Sequence, residues 1–316
     1  MIGMARVLDT VNRRRIWCLC IITVIVMSVI NPKFLSYDNI YGLCVSQIAY
    51  GMAALGLATS LIAGEMNISI ASILALSGVV FVTLIEIVGV LPAFLLAVLV
   101  SGVVGLITGY FIAYKGLPAF LVGVVFMISM RGAALFISNS QTIVIHNRML
   151  RELGSVSVGP IPVLFIVLVI SAILIELFLK YTRPGRNLYA IGGDAEVADA
   201  CGLNTRLYKM IAVAFSSVMA GVGGIFLTTR LLGANPSVGA DAILTILPIV
   251  VIGGISLNGG KGSIVGTLSG IMLMYLLLNI MSMFNIPVSV QSLVRGMILL
   301  SIIVGERYIA NRDRKI

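Results

Sequence analysis

Charged side chains are scarce in this chain, so each one that falls in an apolar run is a candidate for chemistry. Arg131 and Arg295 lie in runs apolar enough to sit in lipid. A charge at the centre of a span costs about 2.5–3.5 kcal/mol. No acid lies mid-span to pair with either arginine, so backbone carbonyls or water are the expected partners. A place on a translocation path is the functional alternative. Glu65, Asn67 and Ser69 sit at a short polar break between two apolar runs and join them as candidates for that path. Glu86, Glu176, Arg230 and Asp241 fall near the ends of runs, where snorkelling of the side chain to the surface suffices.

Other chemistries lack their residues. The single histidine, His146, cannot build a zinc site and is expected in an exposed loop. Cys18, Cys20, Cys44 and Cys201 show no metal or disulfide spacing. The stretch Gly254-Ile-Ser-Leu-Asn-Gly-Gly-Lys-Gly-Ser263 fails as a phosphate loop: Ile255 stands where the first glycine belongs, and Gly262 replaces the Ser or Thr after the lysine. The expectation is therefore no nucleotide and no other cofactor in this chain. There is no nucleophile–base pairing to suggest an enzyme. Nor do acids or histidines line several spans, as an ion-driven pump would want.

Composition identifies the solvent. The 316 residues are 59% hydrophobic and 10% charged, with mean hydropathy +1.13. Soluble domains carry about 25% charge, so this is an integral membrane protein. The formal charge of +9 is spread over few groups, and their location matters more than their sum; nucleic acid is not the implied partner.

An apolar span needs about 20 residues. The sequence predicts an all-α, polytopic membrane helix bundle of about ten spans, with eight or nine also fitting: 16–31, 43–63, 68–88, 91–113, 118–138, 160–180, 207–231, 241–257, 263–283 and 288–305. The whole chain, 1–316, reads as one transmembrane domain. The first run follows Arg13-Arg14-Arg15 and lacks a small-x-small cleavage site, so it reads as an uncleaved span. With the N-terminus inside, fifteen of the 21 Lys and Arg residues fall in or beside the inner loops. The positive-inside rule then places both termini and the 181–206 loop in the cytoplasm. Gly102, Gly105 and Gly109, and Gly221 and Gly224, recur at helical spacing and read as close-packing positions. The external segment 139–160 is a candidate interfacial helix and partner contact, or simply an exposed loop.

The longest polar stretch, Tyr181 to Thr205, has an inner grammar. Pro184-Gly185 ends the preceding helix and Gly192-Gly193 reads as a hinge. Asp194 is a good N-cap for a short helix over Ala195 to Cys201, and Gly202 sits where a left-handed C-terminal glycine belongs. The small Ala195, Ala198 and Ala200 suit close docking against another protein; a solvated connector is the plainer alternative. Taken this far, the residues give a membrane bundle with a folded cytoplasmic docking loop, suggesting transport driven by a partner.

Four ordered stretches add a resemblance that covers nearly the whole chain. Thr182-x-x-Gly185-Arg186-Asn187-Leu188-Tyr189-Ala190-Ile191-Gly192-Gly193-Asp194, followed by Ala198 and Cys201-Gly202-Leu203-Asn204, resembles the cytoplasmic loop of ABC importer permeases of the ribose-type sugar branch. Ala63-Gly64-Glu65-Met66-Asn67-Ile68-Ser69-Ile70-Ala71-Ser72 resembles that branch's Thr-Gly-Gly-Ile-Asp-Leu-Ser-Val-Gly-Ser. Leu117-Pro118-Ala119-Phe120 through Arg131-Gly132 is similar to its fifth-span signature, and Gly253-Gly254 through Gly270 to its late glycine-rich motif. Here Glu65 stands for a family glycine, Asn67 for an aspartate and Asp194 for an asparagine.

The resemblance implies a monosaccharide permease for the bacterial inner membrane. It implies two copies, or two homologous permeases, around one path, with lipid outside. A cytoplasmic ATPase holding ATP and magnesium would dock on the loop through Gly185, Arg186, Gly192, Gly193, Asp194, Ala198 and Gly202. A periplasmic sugar-binding protein would deliver the substrate, a pentose or hexose such as ribose or allose. A furanose-like signal or a nucleoside as cargo, or a stand-alone secondary carrier, are the alternatives.

Overall fold

The computed structural model describes residues 2–145, 150 and 156–313. Among them are twelve helices, in order α1 (Ile2–Ile30), α2 (Tyr37–Ile62), α3 (Ile70–Val88), α4 (Val90–Ala113), α5 (Ala119–Ile137), α6 (Val163–Tyr181), α7 (Arg183–Gly193), α8 (Ala195–Ala200), α9 (Thr205–Leu231), α10 (Ala242–Ile252), α11 (Ile264–Met283) and α12 (Val288–Asp313). Four two-residue strands accompany them. β1 (Ile143–Val144) pairs antiparallel with β4 (Gly233–Ala234), and β2 (Ser157–Val158) pairs with β3 (Ile161–Pro162). Of the external segment, His146 and Asn147 to Arg148 and Arg151 to Glu152 lie outside the described residues, so the expectations placed on them are not addressed.

Every predicted span meets a helix, but ten full spans are not found. Among the described residues seven helices are long and apolar enough to cross a membrane: α2 to α6, α9 and α11. The other three predicted spans correspond to shorter apolar segments, Ile16–Ile30, Ala242–Ile252 and Val288–Ser301. The physical reason is plainest at α10. Eleven residues of helix reach only about 16 Å, against a hydrocarbon core of about 30 Å. The chain enters the bundle before α10 starts, as irregular backbone over 233–241. Gly239 (φ +77°) places this segment directly against the Ala71 carbonyl of α3. The predicted span 241–257 is cut short at its other end, where Gly253 and Gly254 (φ +85°) stop the helix before Leu257, a stop that hydropathy does not register.

The bundle forms around α9, which packs on α2, α3 and α4. Lipid gives helices no hydrophobic drive to associate, so close van der Waals approach must do that work. Small residues provide it. A methyl at Gly56 of α2 would lie 2.7 Å from the Met219 Cβ, and one at Gly109 of α4 would lie 2.8 Å from the Met210 carbonyl. A methyl at Gly224 would overlap the Leu74 carbonyl of α3. The Ser77 hydroxyl adds a hydrogen bond to the Gly221 carbonyl at 2.9 Å. The glycine spacing read from the sequence is therefore packing.

At one end of the bundle three loops meet almost without side chains. The Gly260 amide donates to the Ile62 carbonyl at the end of α2, 3.0 Å away. Gly259 lies against Gly64 and the Gly192 carbonyl, while Gly260 lies against Gly193. The Tyr189 hydroxyl donates to the Gly262 carbonyl at 3.0 Å. Gly192-Gly193, read as a hinge, instead closes α7, and a methyl at Gly192 would overlap the Ile62 carbonyl oxygen. Glu176 likewise does more than snorkel. Its Oε2 accepts the Ile264 amide at 2.9 Å, capping α11 together with Ser263, whose hydroxyl accepts the Gly266 amide.

Because the obstructing atoms are backbone, Gly192→Ala should lower the melting temperature in detergent by an amount corresponding to about 1–3 kcal/mol. It should also speed tryptic cleavage after Arg186. Cleavage at the wild-type rate would contradict the three-loop junction.

Candidate functional site

The polar loop folds as two helices. Thr182 ends α6 and caps α7: its hydroxyl accepts the Gly185 amide at 3.1 Å, and Pro184 occupies the first turn, where a missing N–H costs nothing. Pro184 thus starts a helix as much as it ends one, and α7 is the element the sequence reading missed. The Thr182–Pro184 pair carried that signal. Gly185 lets α7 fold back on α6, with Leu179 at its Cβ position. Arg186 turns to the surface and donates to the Tyr181 carbonyl. Asp194 accepts the amides of Glu196 and Val197, both at 3.0 Å, and starts α8 as expected. Gly202 adopts φ +83° after Cys201.

The orientation of α8 differs from the expectation. Ala198 is only 5% exposed and turns into this chain, so it is closed to a partner. The free face consists of Glu196, Val197, Asp199 and Ala200, with Val197 58% exposed. A two-turn helix must bury one small face to be held at all, and Ala198 is that face.

The candidates at the α2–α3 break do not line an opening. Asn67 is fully buried. Its amide nitrogen donates to the Ser217 hydroxyl at 3.0 Å and the Val213 carbonyl at 3.3 Å, both on α9. Its oxygen accepts the Ser69 hydroxyl at 2.6 Å. Glu65 forms an ion pair with Lys209 of α9 at 2.7 Å, and both side chains are largely buried. The break is thus a polar tie to α9, one to three turns beyond the α8–α9 connection.

The two in-span arginines lie elsewhere, and both hold the segment between α9 and α11. Arg131 of α5 donates through Nη1 to the carbonyls of Pro236 and Val238, at 2.6 and 2.7 Å. Of the two expected kinds of partner, carbonyls or water, backbone carbonyls are the ones it meets. Arg295 of α12 donates to the Thr245 hydroxyl of α10 at 3.0 Å and reaches the Gln291 carbonyl at 3.4 Å. Irregular backbone inside a membrane protein needs such internal partners. The five residues proposed for one path therefore form two separate groups: Glu65, Asn67 and Ser69 at the α7–α8 end, Arg131 and Arg295 around 233–252.

Comparison with known proteins supplies what geometry alone does not. Residues 39–303 match the family described as branched-chain amino acid transport system / permease component. The chain is 31% identical over 305 residues to an L-arabinose ABC transporter permease protein of Azospirillum brasilense, covering 96% of this chain and 90% of that protein. It is 28% identical to the ribose import permease protein of Haemophilus influenzae, covering 92% of each. It is 30% identical to the L-arabinose transport system permease protein of Escherichia coli K12, covering 90% of this chain and 87% of the relative. No solved structure matches the chain.

Removing one partner of the Glu65–Lys209 pair leaves a charge stranded. Lys209→Met should therefore cost on the order of 3 kcal/mol of stability. Adding Glu65→Gln to it should recover most of the loss, as read by thermal melting in detergent. Additive losses in the double variant would show that the pair is not the tie it looks to be.

Proposed function

The chain belongs to the family of branched-chain amino acid transport system permease components, in its ribose-type monosaccharide importer branch, and from that premise we propose how it works. It is the transmembrane permease subunit of an ATP-binding cassette importer and carries a monosaccharide across the inner membrane. The observation that carries this reading is similarity along nearly the whole chain to permeases named for L-arabinose and ribose. A pentose is accordingly the first cargo to test. The chain is a transport subunit; ATP and magnesium belong to a separate cytoplasmic ATPase.

That ATPase docks on the free face of α8, through Val197 with Glu196 and Asp199. The concentration of Lys and Arg supports a cytoplasmic location for this end and for both termini. The opposite end receives the periplasmic binding protein, and a second copy or a homologous permease completes the path. Movement of α8 passes directly into α9, since Asn204 caps α9 by accepting the Leu207 amide at 3.1 Å. From there it reaches the α2–α3 break through Lys209–Glu65 and Asn67–Ser217. Rigid-body turning of packed helices then alternates access from the two sides.

Val197→Arg tests the dock, because the side chain is exposed and the helix can form around it. In native cells the variant should reach the membrane at normal level and melt within about 1 °C of wild type, a surface substitution of small stability effect. Uptake of labelled D-ribose and L-arabinose should be lost, and the ATPase should no longer co-purify. Normal uptake would sink the docking assignment. Sugar movement into liposomes by the isolated chain without ATP would overturn the importer reading itself.

A further inference from the structure

Among the described residues four buried side-chain polar atoms have no hydrogen-bond partner, and two of them lie on facing helices. They are Nε2 of Gln47 on α2 and the hydroxyl of Tyr275 on α11; the residues are 1% and 6% exposed. The helices run antiparallel. Gly51 packs against Ile271, and at the outer end Asn39 and Asn279 exchange hydrogen bonds of 2.8 and 3.3 Å. One turn beyond the Gly51–Ile271 contact, toward that outer end, come Gln47 and Tyr275.

The surroundings are polar on several sides. Tyr50, one turn along α2, and Tyr275 are close enough to interact electrostatically with each other and with Arg295 and Arg230. Arg295 is held there by Thr245 of α10. Gln47 and Tyr50 of α2 and Tyr275 of α11 thus lie on two packed helices, with the guanidinium of Arg295 on α12 within electrostatic reach of both phenols. The other two such atoms, the Ser72 and Ser216 hydroxyls, lie on α3 and α9. A buried donor left unpaired costs stability, and such groups in a membrane bundle mark function more often than packing.

We propose that Gln47, Tyr50, Tyr275 and Arg295 form a contact site for the hydroxyl groups of the transported sugar within this protomer, shut in the conformation described here. This rests on the monosaccharide reading above. The chemistry fits a neutral polyol. Sugar hydroxyls both donate and accept, so they pair with an amide N–H, a guanidinium and phenols alike, and phenol rings offer flat apolar faces to the C–H face of a sugar ring. The Asn39–Asn279 pair, two turns outward on α2 and one on α11, continues the polar seam toward the end where the binding protein docks.

The test uses Tyr275→Phe and Gln47→Leu, each placed on the chromosome of the native cell. Both remove an unpaired buried polar group while keeping shape. Membrane level and melting temperature should equal or exceed wild type. Uptake at saturating sugar should fall about tenfold or more, the equivalent of one lost hydrogen bond, while ATP hydrolysis by the purified complex persists. Wild-type uptake by both variants overturns the site and leaves the importer reading standing. Uptake lost only in step with membrane level overturns it too, as a purely structural role. A wild-type chain that moves no monosaccharide from a panel including D-ribose and L-arabinose overturns both.

Discussion

Everything in this protein depends on α9 lying in backbone contact with three other helices. In water a bundle can be driven together by burying apolar surface; in lipid that drive is absent, and contact must come from fit. Gly56, Gly109 and Gly224 remove the atoms that would hold the helices apart, and once the backbones touch, short polar side chains bridge them. Asn67 to Ser217 and Ser77 to Gly221 are such bridges. Ser77 reaches a backbone carbonyl of α9 directly, as the close approach at Gly221 and Gly224 allows.

The same solvent explains the arginines. Lipid offers no partner to an unpaired N–H or C=O, so irregular backbone survives in a bundle only where protein supplies one. The 233–241 segment is irregular, and Arg131 satisfies two of its carbonyls at once. The desolvation of one guanidinium is offset by the two carbonyls it pairs. Arg295 does a related job from the other side through Thr245. These two charges, singled out by their cost, are thus first of all braces for the only approach to α10 among the described residues.

What the sequence made legible follows from range. Asp194 as a cap, Gly202 as a left-handed stop and the glycine rows on α4 and α9 are local statements, and the structure bears them out. That Arg131 would meet carbonyls or water was legible from the lack of a mid-span acid. The span count was not, since hydropathy reports burial in apolar surroundings and is silent on whether the buried backbone is helical. At the α2–α3 break the sequence shows polar residues between apolar runs but not what they pair with. Their partners, Lys209, Val213 and Ser217, lie some 140 or more residues away, beyond any local pattern. Ala198 was misjudged for a related reason: six residues of helix have too few positions for periodicity to say which face is buried.

The length of α9 has a further meaning. At 27 residues it is a rod of about 40 Å, longer than the hydrocarbon layer it crosses. Its first turns carry Lys209 and its last turn Arg230, which lies within electrostatic reach of Tyr50 and Tyr275. One rigid body therefore reports to both faces of the membrane. A rigid displacement of the loop end is carried along the helix to the level of Arg230, since no loop interrupts it on the way. Two shorter helices joined by a loop would let the two ends of the bundle shift separately, whereas one unbroken helix ties them to a single element.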